Sequence, residues 1–178
     1  MLGRIKRMLK HRWQVATRLQ RVITPALLER LGQRVQASER RHSGEIRIYV
    51  EAGLPQRYLW SDAPTRALTR QRALSVFGQL GVWDTANNNG VLIYLLLAEH
   101  AIELVADRGL NDVVPAPVWA SLVDGMGKAF RQQHFEEGLT QALEQLSTLL
   151  EQHFALAPGA ANPNELPDVP RVHGAAID

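Results

Sequence analysis

The segment WDTANNNGVLIYLLLAEHAIELVADRGLND, residues 83–112, places oxygen-bearing side chains at both ends of an apolar stretch. Asp84, Asn87, Asn88 and Asn89 come before it, and Asp107, Asn111 and Asp112 come after it. Carboxylate and amide oxygens are hard donors, suited to Ca2+ or Mg2+ rather than to a soft metal. If residues 91–98 and 101–107 form a hairpin, the start of one strand lies beside the end of the other. The two polar clusters then share one edge of the sheet. The candidate metal ligands at that edge are Asp84, Asn88, Asn89, Asp107 and Asp112. The same residues also have a purely structural use. Asn and Asp tolerate left-handed backbone and bond their own main chain in turns, and Asp caps helices. DTANNNG lacks the EF-hand spacing, and no Gly-rich phosphate loop is present.

Other chemistry is sparse. His11, His42, His100, His134, His153 and His173 are scattered, with no HExxH among them, so the ligand spacing of a zinc site is missing. No serine sits in a GxSxG elbow. There is no cysteine, which excludes disulfide staples and Cys-ligated metals. Trp83, Phe130 and Phe135 read as packing anchors.

The surrounding elements must hold the two clusters in place. Thr24-Pro25 reads as an N-cap followed by proline in the first turn, opening a helix over 25–41 with Leu27, Leu28, Leu31 and Val35 inward. EIRIYVEA, residues 45–52, alternates apolar and polar positions, which predicts a half-buried strand. A second helix is expected over 65–80. Residues 91–98 are apolar on both faces, as in a central strand covered on both sides. Glu99-His100 makes a tight turn into the strand 101–107, and helices over 117–133 and 136–154 follow. Helices flanking strands in this order predict an α/β fold, a three-layer α/β/α sandwich with a central mixed β-sheet. Residues 157–178, rich in Pro, Ala, Gly and Asn, read as a flexible tail.

The chain has 178 residues and a formal net charge of +2, within the range of one domain. Charge is uneven. Arg4, Lys6, Arg7, Lys10, Arg12, Arg18 and Arg21 precede the first acidic residue, Glu29. Residues 1–23 therefore read as a basic amphipathic helix ahead of a domain over 24–156. That arm either packs on the body or lies on an anionic membrane surface through residues 1–22. Nucleic acid is the weakest of the partners, since no known reader motif accompanies the arm. No secretory signal pattern is evident, and GVLIYLLLA is too short to cross a bilayer. A cytoplasmic protein, peripheral to the inner membrane if the arm binds lipid, is the expectation.

Three stretches together resemble the TPM domain family. They are HSGEIRIYVEA, RALSVFGQLGVWDTANNNGVLIYLLLAEHAIELVADRGLND and MGKAFRQQHFEEGLTQALEQLSTLL. The resemblance rests on Gly44-Glu45-Ile46, Asn89-Gly90, Asp107-Arg108-Gly109-Leu110, and the junction from Phe130 to Gly138-Leu139. It covers roughly residues 24–155 and is similar to a short bacterial branch with a basic N-terminal helix. It implies an α/β/α sandwich, divalent-metal binding at the strand-end loops in some members, and acid phosphatase activity in a plastid branch. Asn88 stands where that family usually has an acidic residue. Two functions are carried forward: an interaction or assembly-maintenance module with a protein partner, and a Ca2+- or Mg2+-dependent phosphatase.

Overall fold

The computed structural model describes residues 23–174. The basic arm, residues 1–22, lies outside the described residues. Helix α1, Pro25–Glu39, starts as expected: the Thr24 hydroxyl accepts from Leu27 N at 3.2 Å, and Pro25 occupies the first turn. Strand β1 (Glu45–Glu51) follows, then the short helix α2 (Gln56–Leu59) and α3 (Thr65–Gln79). Strands β2 (Gly90–Leu96) and β3 (Ala101–Ala106) form the hairpin. Their connection is a 3-10 turn over Leu97–Glu99 that ends on His100 at φ 49°. The short helix α4 (Arg108–Asn111) leads to α5 (Ala116–Arg131) and α6 (Phe135–Phe154), and β4 (Arg171–His173) is the last element among the described residues.

The strands lie in the order β3-β2-β1-β4. β1 runs parallel to β2 and to β4, whereas β2 and β3 are antiparallel. The sheet is therefore mixed. One face carries Ile46, Ile48, Val50, Val91, Ile93 and Leu95 against α1, α5 and α6. The other carries Tyr49, Leu92, Tyr94, Leu96 and Val105 against α2 and α3. This is the three-layer sandwich. Among the described residues no helix is long and apolar enough to cross a membrane.

Three expectations need correction, the first being Trp83, which read as a packing anchor and is 54% exposed. All seven residues of β1 are buried, so it is not a half-buried strand. Its polar face is covered at Glu51 by α3, where Arg72 meets both carboxylate oxygens at 2.8 Å, and at Glu45 and Arg47 by residues 166–169. The segment read as a flexible tail is, through residue 174, a strap laid against the body. Its composition lacks apolar surface, but hydrogen bonds tie it to the body. Asn162 Nδ2 donates to His42 O at 2.9 Å, and Leu166 N donates to Glu45 Oε2 at 2.9 Å. Residues 171–173 then pair with residues 49–51 of β1.

Candidate functional site

The edge where β1 and β2 begin and β3 ends is built first by glycines. Gly81, at φ 66°, ends α3 in the left-handed conformation that a side chain disfavours. A Cβ at position 90 would sit 2.0 Å from the Val82 carbonyl oxygen. A Cβ at position 109 would sit 2.7 Å from Asn88 O. Gly90 and Gly109 therefore let the two polar loops close on one another. Gly109 N donates to Asn88 O at 3.0 Å, and Asp107 N donates to Gly90 O at 2.9 Å. The clusters read from the sequence do meet at one edge.

Their side chains then separate in role. Asn89 is buried. Its backbone N–H donates to Thr85 Oγ1, its side-chain oxygen accepts from the same hydroxyl at 3.3 Å, and its Nδ2 donates to Ser43 Oγ at 3.2 Å. Asn88, at φ 51°, presents its Oδ1 to Arg108 Nε at 2.9 Å. Asp107 caps α4, its Oδ1 accepting from Arg108 N at 2.7 Å. Its Oδ2 is buried with no hydrogen-bond partner. Asp84 and Asp112 are exposed. Asn111 Nδ2 donates to Ala106 O, and Asn87 Nδ2 reaches Ser43 Oγ.

These residues do not form a cation cage as they stand. Ca2+ asks for about six to eight oxygens, whereas here a guanidinium already holds the Asn88 oxygen and one Asp107 oxygen serves a helix end. Asp107 Oδ2 is the buried atom of the set left over, and the Asp84 and Asp112 carboxylates stand exposed beside the loops. Among the described residues no group of three His, Asp or Glu side chains is arranged to hold a metal ion.

Several residues at this edge escaped the sequence reading. Glu165, from the strap, accepts from Ala86 N with both oxygens, at 3.1 and 3.2 Å. Glu39 and Glu45 are buried beneath the strap, and both carboxyls are raised above their ordinary range, first by burial. Glu39 rises to about 9, and its Oε1 accepts from Ile46 N at 2.8 Å. His42, fully buried, is pushed down to about 4 by burial. Its Nδ1 faces the Gly44 carbonyl at 3.2 Å, which can only accept, so Nδ1 carries the proton and Nε2 accepts from the Ser38 hydroxyl at 2.8 Å. Ser38 in turn bonds Ser147 of α6. This serine–histidine chain has no face to solvent and ties α1 to α6. No local spacing marks it, because its members come together only through packing.

A separate groove of about 870 Å3 runs along the outer edge of β3, from His100 to Ala106 and Asn111, between Arg66 and Arg70 on α3 and Trp119, Asp124 and Arg131 on α5. Arg70 blunts that strand edge, donating to Leu104 O at 2.6 Å and pairing with Glu103.

The family model for the TPM domain matches residues 17–149, a span that includes both polar loops and all the sheet but β4. The chain belongs to the TPM domain family. The fold of this TPM domain is similar to the NMR structure of the BA42 protein from Bizionia argentinensis. Identity is 26%, the TM-score is 0.70, and 84% of this chain and 94% of that one are covered. It is also similar to the solution NMR structure of the N-terminal domain of a protein from P. gingivalis, at 25% identity and a TM-score of 0.56. There the coverage is 76% of this chain and 83% of that one. No curated protein matches the chain. The strap from residue 156 onward lies beyond the span that the family model matches.

Proposed function

We propose that this TPM domain is an interaction or assembly-maintenance module for a protein partner, and that its working surface is the strand-start edge with the strap across it. One observation carries the reading: most of the polar side chains there are already engaged, with one another or with the main chain, and among the described residues only Asp84 and Asp112 stand exposed without a bond. Arg108 holds Asn88, Asp107 holds its helix, Asn89 holds Thr85 and Ser43, and Glu165 holds Ala86. Such a surface is fixed in shape, as a docking face requires. Acid–base chemistry instead needs a titrating group within reach of the proton it moves. The alternative, a Ca2+- or Mg2+-dependent phosphatase, draws support from the unpartnered Asp107 Oδ2. The basic segment 1–22 would hold the module on an anionic surface, peripheral to the inner membrane on its cytoplasmic side.

The test uses full-length protein loaded with Ca2+ or Mg2+ and a generic phosphomonoester. Wild type and Asp107→Asn should show the same background turnover. Metal-stimulated turnover lost in Asp107→Asn would replace this reading with the phosphatase. On anionic vesicles, the same wild-type preparation should bind in a salt-sensitive way, and a Lys6→Gln/Arg7→Gln/Lys10→Gln variant should bind less.

A further inference from the structure

Strand β3 lies at one end of the sheet, and its outer main chain is only partly used. Asp107 N bonds Gly90 O. Antiparallel pairing then turns residues 101, 103 and 105 toward β2 and residues 102, 104 and 106 outward. Two side chains report the outward set directly. Arg70 donates to Leu104 O at 2.6 Å, and Asn111 Nδ2 donates to Ala106 O at 2.7 Å. Among the described residues nothing bonds the outward N–H and C=O of Ile102 or the N–H of Leu104.

The groove over this edge has the length of a short extended peptide. From Ala101 to Ala106, β3 spans about 17 Å, and the α5 wall from Trp119 to Arg131 spans about 18 Å. The connections set the direction of both walls. Helix α3 leads through residues 80–89 into the start of β2, where β3 ends, so its first turn, with Arg66, lies toward the start of β3. Helix α5 follows β3 after the short α4, so its last turn, with Arg131, lies toward that same end. Arg66 and Arg131, one from each wall, are exposed, and among the described residues neither is in an ion pair. The groove's acids are disposed otherwise. Glu103 is held by Arg70 at 3.3 Å and Asp124 by Lys128 at 2.7 Å, and Glu99 belongs to the turn. Between the ends, α5 lines the groove with Trp119, Ala120, Val123 and Gly127, which are apolar or small.

We propose that the outer edge of β3 docks an extended segment of a partner protein, paired through its main chain with Ile102 and Leu104 and carrying two consecutive acidic residues for Arg66 and Arg131. Neighbouring side chains of an extended chain point to opposite faces. Consecutive acids therefore reach opposite walls, one to Arg66 on α3 and the next to Arg131 on α5. The residue two places after the second acid faces the α5 wall near Val123 and is apolar. Arg70 and Asn111 already take the Leu104 and Ala106 carbonyls, so pairing is confined to the first half of the strand. In such strand-addition complexes main-chain bonds give affinity and side-chain contacts give selectivity. A second copy fits less well, because its β3 lies between its own α3 and α5, which would meet these walls before the strands paired. The acid positions lie at the far end of β3 from the strand-start edge, and the proposal does not depend on the reading of that edge.

The test uses the full-length chain and three labelled peptides, read by fluorescence anisotropy. The first is Gly-Glu-Asp-Thr-Val-Thr-Val-Gly. The second has Gln-Asn in place of Glu-Asp. The third keeps the acids but has proline in place of the first Thr and the first Val, which removes an N–H from each face of the peptide's main chain. The acidic peptide should bind at least about ten-fold tighter than either of the others. A chain carrying Arg66→Glu and Arg131→Glu should lose the preference for acid over amide. In wild type, the acidic peptide should shift the amide NMR signals of Ile102 and Leu104, a readout that needs no variant to fold. Equal binding of the acidic and amide peptides, binding of none, or equal binding of the proline peptide would each overturn the proposal. So would a preference that survives in the double variant, or NMR shifts confined to residues 84–90 and 107–112. A wild-type dimer that the acidic peptide dissociates would give the edge to a second copy and overturn it as well.

Discussion

At the strand-start edge, Arg108 Nε lies 2.9 Å from the Asn88 oxygen, and the Arg108 backbone N–H lies 2.7 Å from Asp107 Oδ1. One residue thus engages both loops that were read as metal-ligating. Removing the guanidinium frees an amide oxygen at the edge that also holds the buried Asp107 Oδ2. Arg108→Ala is therefore expected to bind Ca2+ more tightly than wild type in calorimetry, since a competing cation has gone and two hard donors remain. Equal or weaker affinity in Arg108→Ala would show that the guanidinium does not guard the edge. The oxygens themselves were legible in the sequence, because Asp and Asn around an apolar hairpin have few uses. What each oxygen binds was not legible. Asn89 turns inward because Thr85 and Ser43 satisfy it, and Ser43 comes from a loop 46 residues away. Glu39, Glu45 and His42 also escaped, since a buried carboxyl or imidazole is defined by what covers it.

Among the elements, β1 shows best why a strand's pattern misleads. Its alternation of Ile46, Ile48 and Val50 with Arg47, Tyr49 and Glu51 reads as one wet face. In the fold that second face is dry, because Arg72 of α3 neutralises Glu51 and the Tyr94 hydroxyl donates to Glu51 Oε2 at 2.6 Å. Both ionic partners are nearly inaccessible, at 5% and 0% exposure. Burial pulls the Arg72 guanidinium down, yet its bonds to Glu51 outweigh this and hold it above its ordinary value. Cutting one partner leaves a bare buried charge. Arg72→Met should cost about 3–5 kcal/mol in chemical denaturation, and the double variant with Glu51→Leu should recover much of that loss. A double variant as unstable as the single would mean that packing, not the stranded carboxylate, sets the cost. Helices α1, α5 and α6 were legible within a few residues because their apolar spacing is unambiguous. The strap was not, because its order comes from hydrogen bonds to other segments rather than from its own composition.

For the molecule as a whole, the buried titratable groups set opposite slopes of stability with pH. His42 is held neutral, with its proton affinity lowered to about 4. The unfolded chain takes up a proton near pH 6.5 that the folded chain refuses, so His42 stabilises the fold above that pH and the contribution is lost as pH falls toward 4. From this shift the loss is on the order of 3 kcal/mol, or roughly 6–12 °C in melting temperature for a chain of this size. Glu39 works in reverse. Its carboxyl keeps its proton up to about pH 9 in the fold, whereas the unfolded chain gives it up near 4.5. Its stabilisation is complete below 4.5 and is lost as pH rises through 9. Glu45 is shifted in the same direction. The two trends oppose one another between pH 4.5 and 6.5, and above 6.5 the carboxyls act alone. Glu39→Gln mimics the protonated side chain, keeping an oxygen for Ile46 N and carrying no charge. It should therefore melt higher than wild type at pH 8 and about the same at pH 4.5, with a flatter curve between. Parallel curves for wild type and Glu39→Gln from pH 4.5 to 9 would show that Glu39 does not hold its proton beneath the strap.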